Sequence, residues 1–286
     1  MTANRAASIR ARLKNQVDAT RGDYNLLLTR YGLERLLYRL SVSAHAQNFV
    51  LKGAMLLALW YDVPQRPTRD ADLLGFGADD IESIAKVFRE ICAIKVDDAI
   101  EFDAQSVQTS RIRHDAGYGG VRVEIGAMLD RARIKLQVDI GFGDVVTPAA
   151  SEVTYPVLLD DLPAPRLRAY PKYTVIAEKF QALCVLGLAN SRMKDYFDMW
   201  LLTSGSDVEA GVLAKAISAT FVRRKTDLPV DWPTGLTPEF ATDATKQTQW
   251  RAFLRKNSLT APVLSEVVDA LRDRLGAPLR IARGGK

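Results

Sequence analysis

Two stretches of this 286-residue chain alternate apolar and polar residues without a break: Val121-Arg122-Val123-Glu124-Ile125 and Ile134-Lys135-Leu136-Gln137-Val138-Asp139-Ile140. Successive side chains of an extended backbone point to opposite faces, so each stretch reads as a strand with one buried and one polar face. Residues 130–133 supply a connection short enough for a hairpin between them. Residues 100–113 alternate more loosely and run into a turn at 117–120. A short strand headed by acids is expected over 70–76, closed by Gly75 and Gly77. Such strands build a sheet whose apolar face needs helices to cover it.

Helical periodicity flanks the sheet block. Leu26, Leu27, Leu28, Tyr31, Leu33, Leu36, Leu37 and Leu40 recur at helical spacing, and residues 6–17 form an amphipathic run. Phe49-Val50-Leu51 leads into Lys52-Gly53 and a buried helix over 54–61, after which Pro64 and Pro67 mark a loop. Asp79-Asp80 cap a helix carrying Ile81, Ile84, Ala85, Phe88 and Ile91. After Asp144 the prolines Pro148, Pro156, Pro163, Pro165 and Pro171 mark a domain boundary. Beyond them helices are expected over 173–188, 193–203, 208–221, 238–256 and 261–275. The expected organisation is an α/β domain over 1–160, with N-terminal helices, followed by a helical domain over 161–286.

Composition removes several function classes. With 48% hydrophobic and 26% charged residues, the chain is neither disordered nor a disulfide scaffold. Cys92 and Cys184 sit in apolar stretches without CxxC spacing, which suits a reducing cytoplasm and excludes a zinc ribbon or redox dithiol. With only His45 and His114, a multi-His zinc site is excluded and a His-centred triad is disfavoured. The longest apolar stretch, 54–61, is far short of the ~20 residues of a membrane span, and the basic N-terminus lacks an apolar signal core. A soluble, cytoplasmic protein is expected.

The net charge of +5 is unevenly spread. Residues 1–40 hold eight Lys/Arg against three Asp/Glu, and residues 241–286 hold nine against four. The middle of the chain is therefore net acidic. Basic ends around an acidic middle suit an anion-binding frame about a carboxylate site, although solvated helix faces give the same pattern.

Asp70-Ala71-Asp72 is the feature with most chemistry in it. Alternate residues of a strand share a face, so Asp70 and Asp72 project to the same side and repel unless a positive group lies between them. A divalent cation resolves that repulsion, since magnesium takes a few carboxylates plus phosphate oxygens. Asp139, set between Val138 and Ile140, is placed to join them from a neighbouring strand, and three carboxylates can hold two metals. The plain alternative is that Asp-x-Asp is common at strand ends. Lys52-Gly53, 18 positions before Asp70 at a strand-to-helix junction, adds a place where backbone N–H groups can cradle phosphate.

Gly53, Arg66-Pro67-Thr68-Arg69-Asp70-Ala71-Asp72 and Val138-Asp139-Ile140 together resemble the nucleotidyltransferase (DNA polymerase β-like) core. A more restrictive match follows. Ala177-Glu178-Lys179-Phe180-Gln181-Ala182-Leu183, then Arg192-Met193-Lys194-Asp195-Tyr196-Phe197-Asp198, resembles the signature of the AbiEii/AbiGii nucleotidyltransferase toxin family. That family includes the MenT-type toxins of type IV toxin–antitoxin and phage-defence systems. The resemblance runs from about residue 49 to about residue 200.

The resemblance implies an α+β fold, with a nucleotidyltransferase-type mixed β-sheet and flanking helices ahead of a helical C-terminal domain. Asp70 and Asp72 match the family's metal-binding pair, for Mg2+ or Mn2+, and Asp139 the third strand acid. Lys179 matches a helical lysine expected to contact nucleotide phosphate. Asp195 matches the acid of the Arg-x-Lys-Asp-x-x-Asp segment, with Asp198 as a companion either structural or functional. Gly53 matches the first glycine of the phosphate loop, beside Lys52; Ala54 replaces the usual Ser or second Gly, which removes a hydroxyl contact and leaves the backbone cradle. Arg66 and Arg69 flank the acid pair, where they either meet triphosphate or pair locally. Thr68 stands where toxins of this type carry a Ser or Thr that an antitoxin phosphorylates.

The implied activity is transfer of a nucleoside monophosphate from an NTP to an RNA acceptor, the tRNA 3′ end, blocking translation. Its implied partners are NTP, tRNA and a cognate antitoxin, with the chain monomeric. Two rivals stand beside it: nucleotidylation of a protein hydroxyl, and a non-catalytic nucleotide- or RNA-binding role, which the intact acids and Lys179 argue against.

Overall fold

The computed structural model describes residues 3–20, 22–61, 66–113, 119–205 and 208–284. His114 and Gly117, and Pro64 of the loop before the acids, lie outside the described residues. The chain divides into two units, Met1–Gly143 with Ser151–Ala169, and Asp144–Ala150 with Tyr170–Lys286.

The first unit is built on one sheet of seven strands. These are β1 (Phe49–Lys52), β2 (Asp70–Gly75), β3 (Ile100–Arg113), β4 (Gly119–Leu129), β5 (Ala132–Phe142), β6 (Ser151–Thr154) and β7 (Arg166–Ala169), in the order β3-β4-β5-β2-β1-β7-β6. The β2–β5 and β1–β7 pairs are parallel and the rest antiparallel, so the sheet is mixed, with β2 near its centre. The β4–β5 hairpin is tighter than the sequence suggests. Leu129 pairs with Ala132, leaving a two-residue connection in which Asp130 takes φ 54°.

Helices cover one face of this sheet. α1 (Ala3–Thr20) and α2 (Tyr24–Val42) open the chain, and Asp23 caps α2 by accepting from the Asn25 and Leu26 amides. Gly32 of α2 lies so close to Leu136 of β5 that a Cβ there would sit 2.9 Å from a leucine methyl. Leu136, Val138 and Ile140 therefore face the helices, and Gln137 and Asp139 take the opposite face. The helix expected over 54–61 is shorter and tighter: a 3-10 turn over Gly53–Leu56 leads into α3 (Leu57–Trp60). α4 (Ile81–Ala93), capped by Asp80, lays Phe88 edge-on against Phe49 of β1 at 5.9 Å.

The second unit is helical: α5 (Lys172–Leu186), α6 (Met193–Thr203), α7 (Ala210–Arg223), α8 (Pro238–Thr242), α9 (Ala244–Lys256) and α10 (Leu264–Ala282). A single helix over 238–256 is replaced by α8 and α9, because Asp243 leaves helical geometry and caps α9 through the Lys246 amide. Phe180 packs on Phe221 at 5.6 Å and Tyr196 stacks on Phe240 at 5.2 Å in the core, and Trp250 is buried against Phe253 at 5.9 Å. Residues 144–150 belong to this unit because side chains tie them down. Arg224 pairs with Asp144 at 3.2 Å, and Thr174 exchanges hydrogen bonds with the Thr147 backbone at 3.0 and 2.8 Å. The chain then returns to the sheet as the β6–β7 hairpin, so residues 161–169 lie with the first unit. Among the described residues no helix is long and apolar enough to cross a membrane.

Candidate active site

Register, rather than proximity in sequence, assembles the first group of candidates. Lys52 pairs with Asp72 across β1–β2, Asp72 with Asp139 across β2–β5, and Asp139 with Arg122 across β5–β4. Laterally paired residues share a face, so one row across four strands reads lysine, aspartate, aspartate, arginine. Asp70 stands one row away on the same face, level with Gln137 and Glu124. The opposite face carries Ala71, Leu73, Val138 and Ile140, all buried. The acids are thus held on a rigid strand whose other side is core.

Gly53 explains its own identity twice over. Its φ of +76° lies in the left-handed region, and an added Cβ would fall 1.9 Å from Asp72 Oδ2. The Asp72 carboxylate therefore lies directly against the turn backbone. The Thr68 hydroxyl donates to Asp70 Oδ1 at 2.6 Å, fixing the neighbouring carboxylate. Arg66 is half-buried in the loop leading into β2.

Asp139 is engaged differently. Arg122 Nε and Nη2 each donate to one of its carboxylate oxygens at 2.8 Å, and the Gln137 amide adds a longer bond at 3.3 Å. The hydrogen bond to Asp139 raises the Arg122 pKa against the opposing effect of burial, with Asp70 and Glu124 adding to the rise. Among the described residues no group of three His, Cys, Asp or Glu side chains is assembled to hold a metal ion. Asp70 and Asp72, adjacent on one face, suit a divalent cation that takes its remaining ligands from phosphate and water. Asp139 stands level with Asp72 on the same face, with both of its oxygens accepting from Arg122.

The remaining candidates fall in the helical unit. Lys179 on α5 reaches two carboxylates on α6, Asp195 at 2.7 Å and Asp198 at 2.9 Å, and Arg192 pairs with Asp195 at 2.8 Å. Both aspartate side chains are 2% exposed and that of Lys179 is 15% exposed. The anion that meets Lys179 in the structure is thus the chain's own acid pair. Asp195 and Asp198, one helical turn apart, act together on one ammonium.

The family model of the nucleotidyl transferase AbiEii toxin, type IV TA system, matches residues 35–274. The chain belongs to this family. The toxin's fold is that of solved nucleotidyltransferase toxins. It superposes on MenT4, a nucleotidyltransferase toxin from Mycobacterium tuberculosis H37Rv, with a TM-score of 0.61 at 17% identity, covering 96% of this chain and 89% of that one. It also resembles JHP933 from Helicobacter pylori, with a TM-score of 0.50 at 14% identity, covering 92% of this chain and 95% of that one. No curated protein sequence matches the toxin.

Two elements of the toxin escape sequence reasoning. Arg122 carries no motif, and only the hairpin register brings it to Asp139. Arg224 bonds Asp144, Glu178 and Gln181 across long sequence separations. The basic N-terminal segment also differs from an anion frame. Arg5, Arg10, Arg12, Arg35 and Arg39 are paired with Asp97, Asp130, Asp161, Glu34 and Asp98 within the first unit. On α9, by contrast, Arg251, Arg255 and Lys256 remain exposed. Burial pushes the Cys92 and Cys184 thiols up to about 12, which removes thiolate chemistry.

Proposed function

We propose that this toxin transfers a nucleoside monophosphate from an NTP to an RNA acceptor, the tRNA 3′ end, and so blocks translation. The observation that carries the reading is the Asp70/Asp72 pair on one sheet face, with the Asp72 carboxylate seated against the Cβ-free turn at Gly53. Asp70 and Asp72 would hold Mg2+ or Mn2+, which when bound supplies Lewis-acid neutralisation of triphosphate charge. Thr68 holds the Asp70 carboxylate in one rotamer by its 2.6 Å hydrogen bond. Lys52, level with Asp72, offsets the acids' charge, and the backbone of the turn that follows offers donors to phosphate. Arg66 approaches from the loop ahead of β2.

Lys179 and Asp195 form the second catalytic group, with the acids holding the ammonium in place until an anionic substrate competes for it. In the transfer, an acceptor hydroxyl oxygen bonds to the α-phosphorus as the bond to the β-phosphate oxygen breaks. Pyrophosphate leaves and the hydroxyl proton passes to solvent or a nearby base.

The exposed Arg251, Arg255 and Lys256 of α9 support an RNA acceptor, since phosphate neutralisation dominates RNA binding. A protein hydroxyl is the second reading, favoured by the internal pairing of the N-terminal arginines. A cognate antitoxin completes the system. Expression in a bacterial host tests the catalytic reading. The wild type should arrest growth, and Asp70→Ala and Asp72→Ala should relieve the arrest at equal protein level. Arrest that persists in both variants would show that toxicity does not depend on these acids.

A further inference from the structure

We infer that Asp139 serves this site as the positioning partner of Arg122, and that Arg122 contacts the phosphates of the nucleotide gathered at Asp70 and Asp72. The inference rests on the nucleotidyltransferase reading above and departs from it at one residue. A carboxylate that ligates a cation needs an oxygen facing it. Both Asp139 oxygens instead accept from the Arg122 fork at 2.8 Å, and Gln137 adds a third donor. Two parallel charge-assisted bonds are strong and geometrically specific, and with Gln137 they occupy three of the roughly four acceptor positions of the carboxylate, so a cation at Asp139 would have to compete with them.

The pair is also built into the backbone. Arg122 and Asp139 are direct cross-strand partners, because the two-residue β4–β5 connection sets Leu129 against Ala132 and every later pair follows. The Asp139 side chain is 11% exposed while that of Arg122 is 37% exposed. The carboxylate is thus the buried anchor and the guanidinium the open end. A guanidinium has five N–H donors; two are spent on Asp139, and among the described residues no acceptor takes Nη1.

Those remaining donors lie on the face that carries the metal-binding candidates. Arg122 is two strands from Asp72, roughly 10 Å between backbones, and its side chain reaches back over Asp139, one strand from Asp72. Planar, bidentate capture of phosphate is what an arginine does better than a lysine. The row Lys52–Asp72–Asp139–Arg122 then places a cation at each end of the acid pair. A triphosphate with its divalent cation over Asp70 and Asp72 has a basic group on either side.

The test separates metal binding from nucleotide binding. Mn2+ affinity is measured by electron paramagnetic resonance on nucleotide-free wild type, Asp70→Asn, Asp139→Asn, Arg122→Gln and Arg122→Lys. Affinity for a non-hydrolysable NTP analogue is measured calorimetrically with Mg2+, and melting curves establish that each variant is folded. Asp70→Asn should weaken Mn2+ binding, while Asp139→Asn and Arg122→Gln should leave it within about twofold. Both of the latter should weaken the NTP analogue about tenfold, the size expected from losing one charge-assisted contact. The Arg122→Gln/Asp139→Asn double variant should be no weaker than either single one, because the two act as a unit. Arg122→Lys keeps the charge without the fork, should recover part of the affinity, and serves if the glutamine variant does not fold.

A loss of Mn2+ binding in Asp139→Asn equal to that in Asp70→Asn would overturn the assignment of Asp139. Unchanged NTP affinity in Arg122→Gln, with or without a rise in KM for RNA, would overturn the assignment of Arg122. A wild type that binds neither Mn2+ nor the analogue would instead overturn the nucleotidyltransferase reading beneath both.

Discussion

Replacing Gly53 by alanine isolates the part of the site where backbone and carboxylate meet. Two costs are involved. A non-glycine residue at φ +76° is strained by about 1–2 kcal/mol. The new Cβ would also lie 1.9 Å from Asp72 Oδ2, so the carboxylate must withdraw by about 1.6 Å to reach ordinary contact. The first cost lowers stability, by about 2–4 °C per kcal/mol in a chain of this size. The second moves a candidate metal-binding oxygen, and a misplacement of about 1 Å can cost on the order of a hundredfold in rate. Gly77→Ala is the matched control, since Gly77 has φ +95° but an added Cβ would meet nothing within 4 Å. Melting temperature and the rate of nucleotide transfer are measured for both variants. Gly53→Ala should lose about a hundredfold or more in rate, and Gly77→Ala should show a similar melting shift with nearly full rate. Full activity in Gly53→Ala, or an equal loss in Gly77→Ala, would refute the reasoning.

Three further perturbations follow from the same structure. Lys179→Met leaves Asp195 and Asp198 buried without their shared ammonium, and should destabilise the protein by about 3–5 kcal/mol in urea unfolding; Lys179→Met/Asp195→Asn/Asp198→Asn should recover most of that loss while remaining inactive. Thr68→Ala removes the hydroxyl bonded to Asp70 and should keep transfer within severalfold while escaping an antitoxin that phosphorylates this site, whereas Thr68→Glu should abolish transfer; full inhibition of Thr68→Ala by the antitoxin would contradict the regulatory role. Burial raises the Glu34 pKa from 4.5 to about 7, with Arg35 and the Leu158 amide opposing the rise. The folded state therefore holds a proton that the unfolded chain releases near 4.5, and that contribution to stability is lost as pH rises through about 7. Glu34→Gln should flatten the decline between those two values in pH-dependent unfolding.

Local chemistry makes much of this molecule legible in its sequence. Asp70 and Asp72 share a face by strand period alone, Gly53 sits at the turn its sequence position suggests, and Asp80 caps the helix it precedes. Legibility ends at non-local register. A connection over 130–133 would set Leu129 against Ile134; the observed two-residue turn moves β5 by two positions and brings Arg122 opposite Asp139. That small difference sets Asp139 in an ion pair with Arg122 that the alternation alone does not foretell. Lys179 is recognisable as a cation on an apolar helix, but the identity of its counter-charge depends on α5 packing against α6. The basic N-terminus misleads for the same reason, because Arg5, Arg10 and Arg12 find their partners 92 to 149 residues away. Residues 238–256 keep helical period through Asp243, where a side-chain cap restarts the helix.

The most direct test incubates the wild-type protein with each α-labelled NTP in turn, with total RNA and a protein extract, with and without magnesium. Asp70→Ala serves as control. Magnesium-dependent label at the 3′ end of tRNA, absent from Asp70→Ala, is the predicted result. Label confined to protein would contradict the RNA acceptor, and label in neither would contradict nucleotide transfer itself.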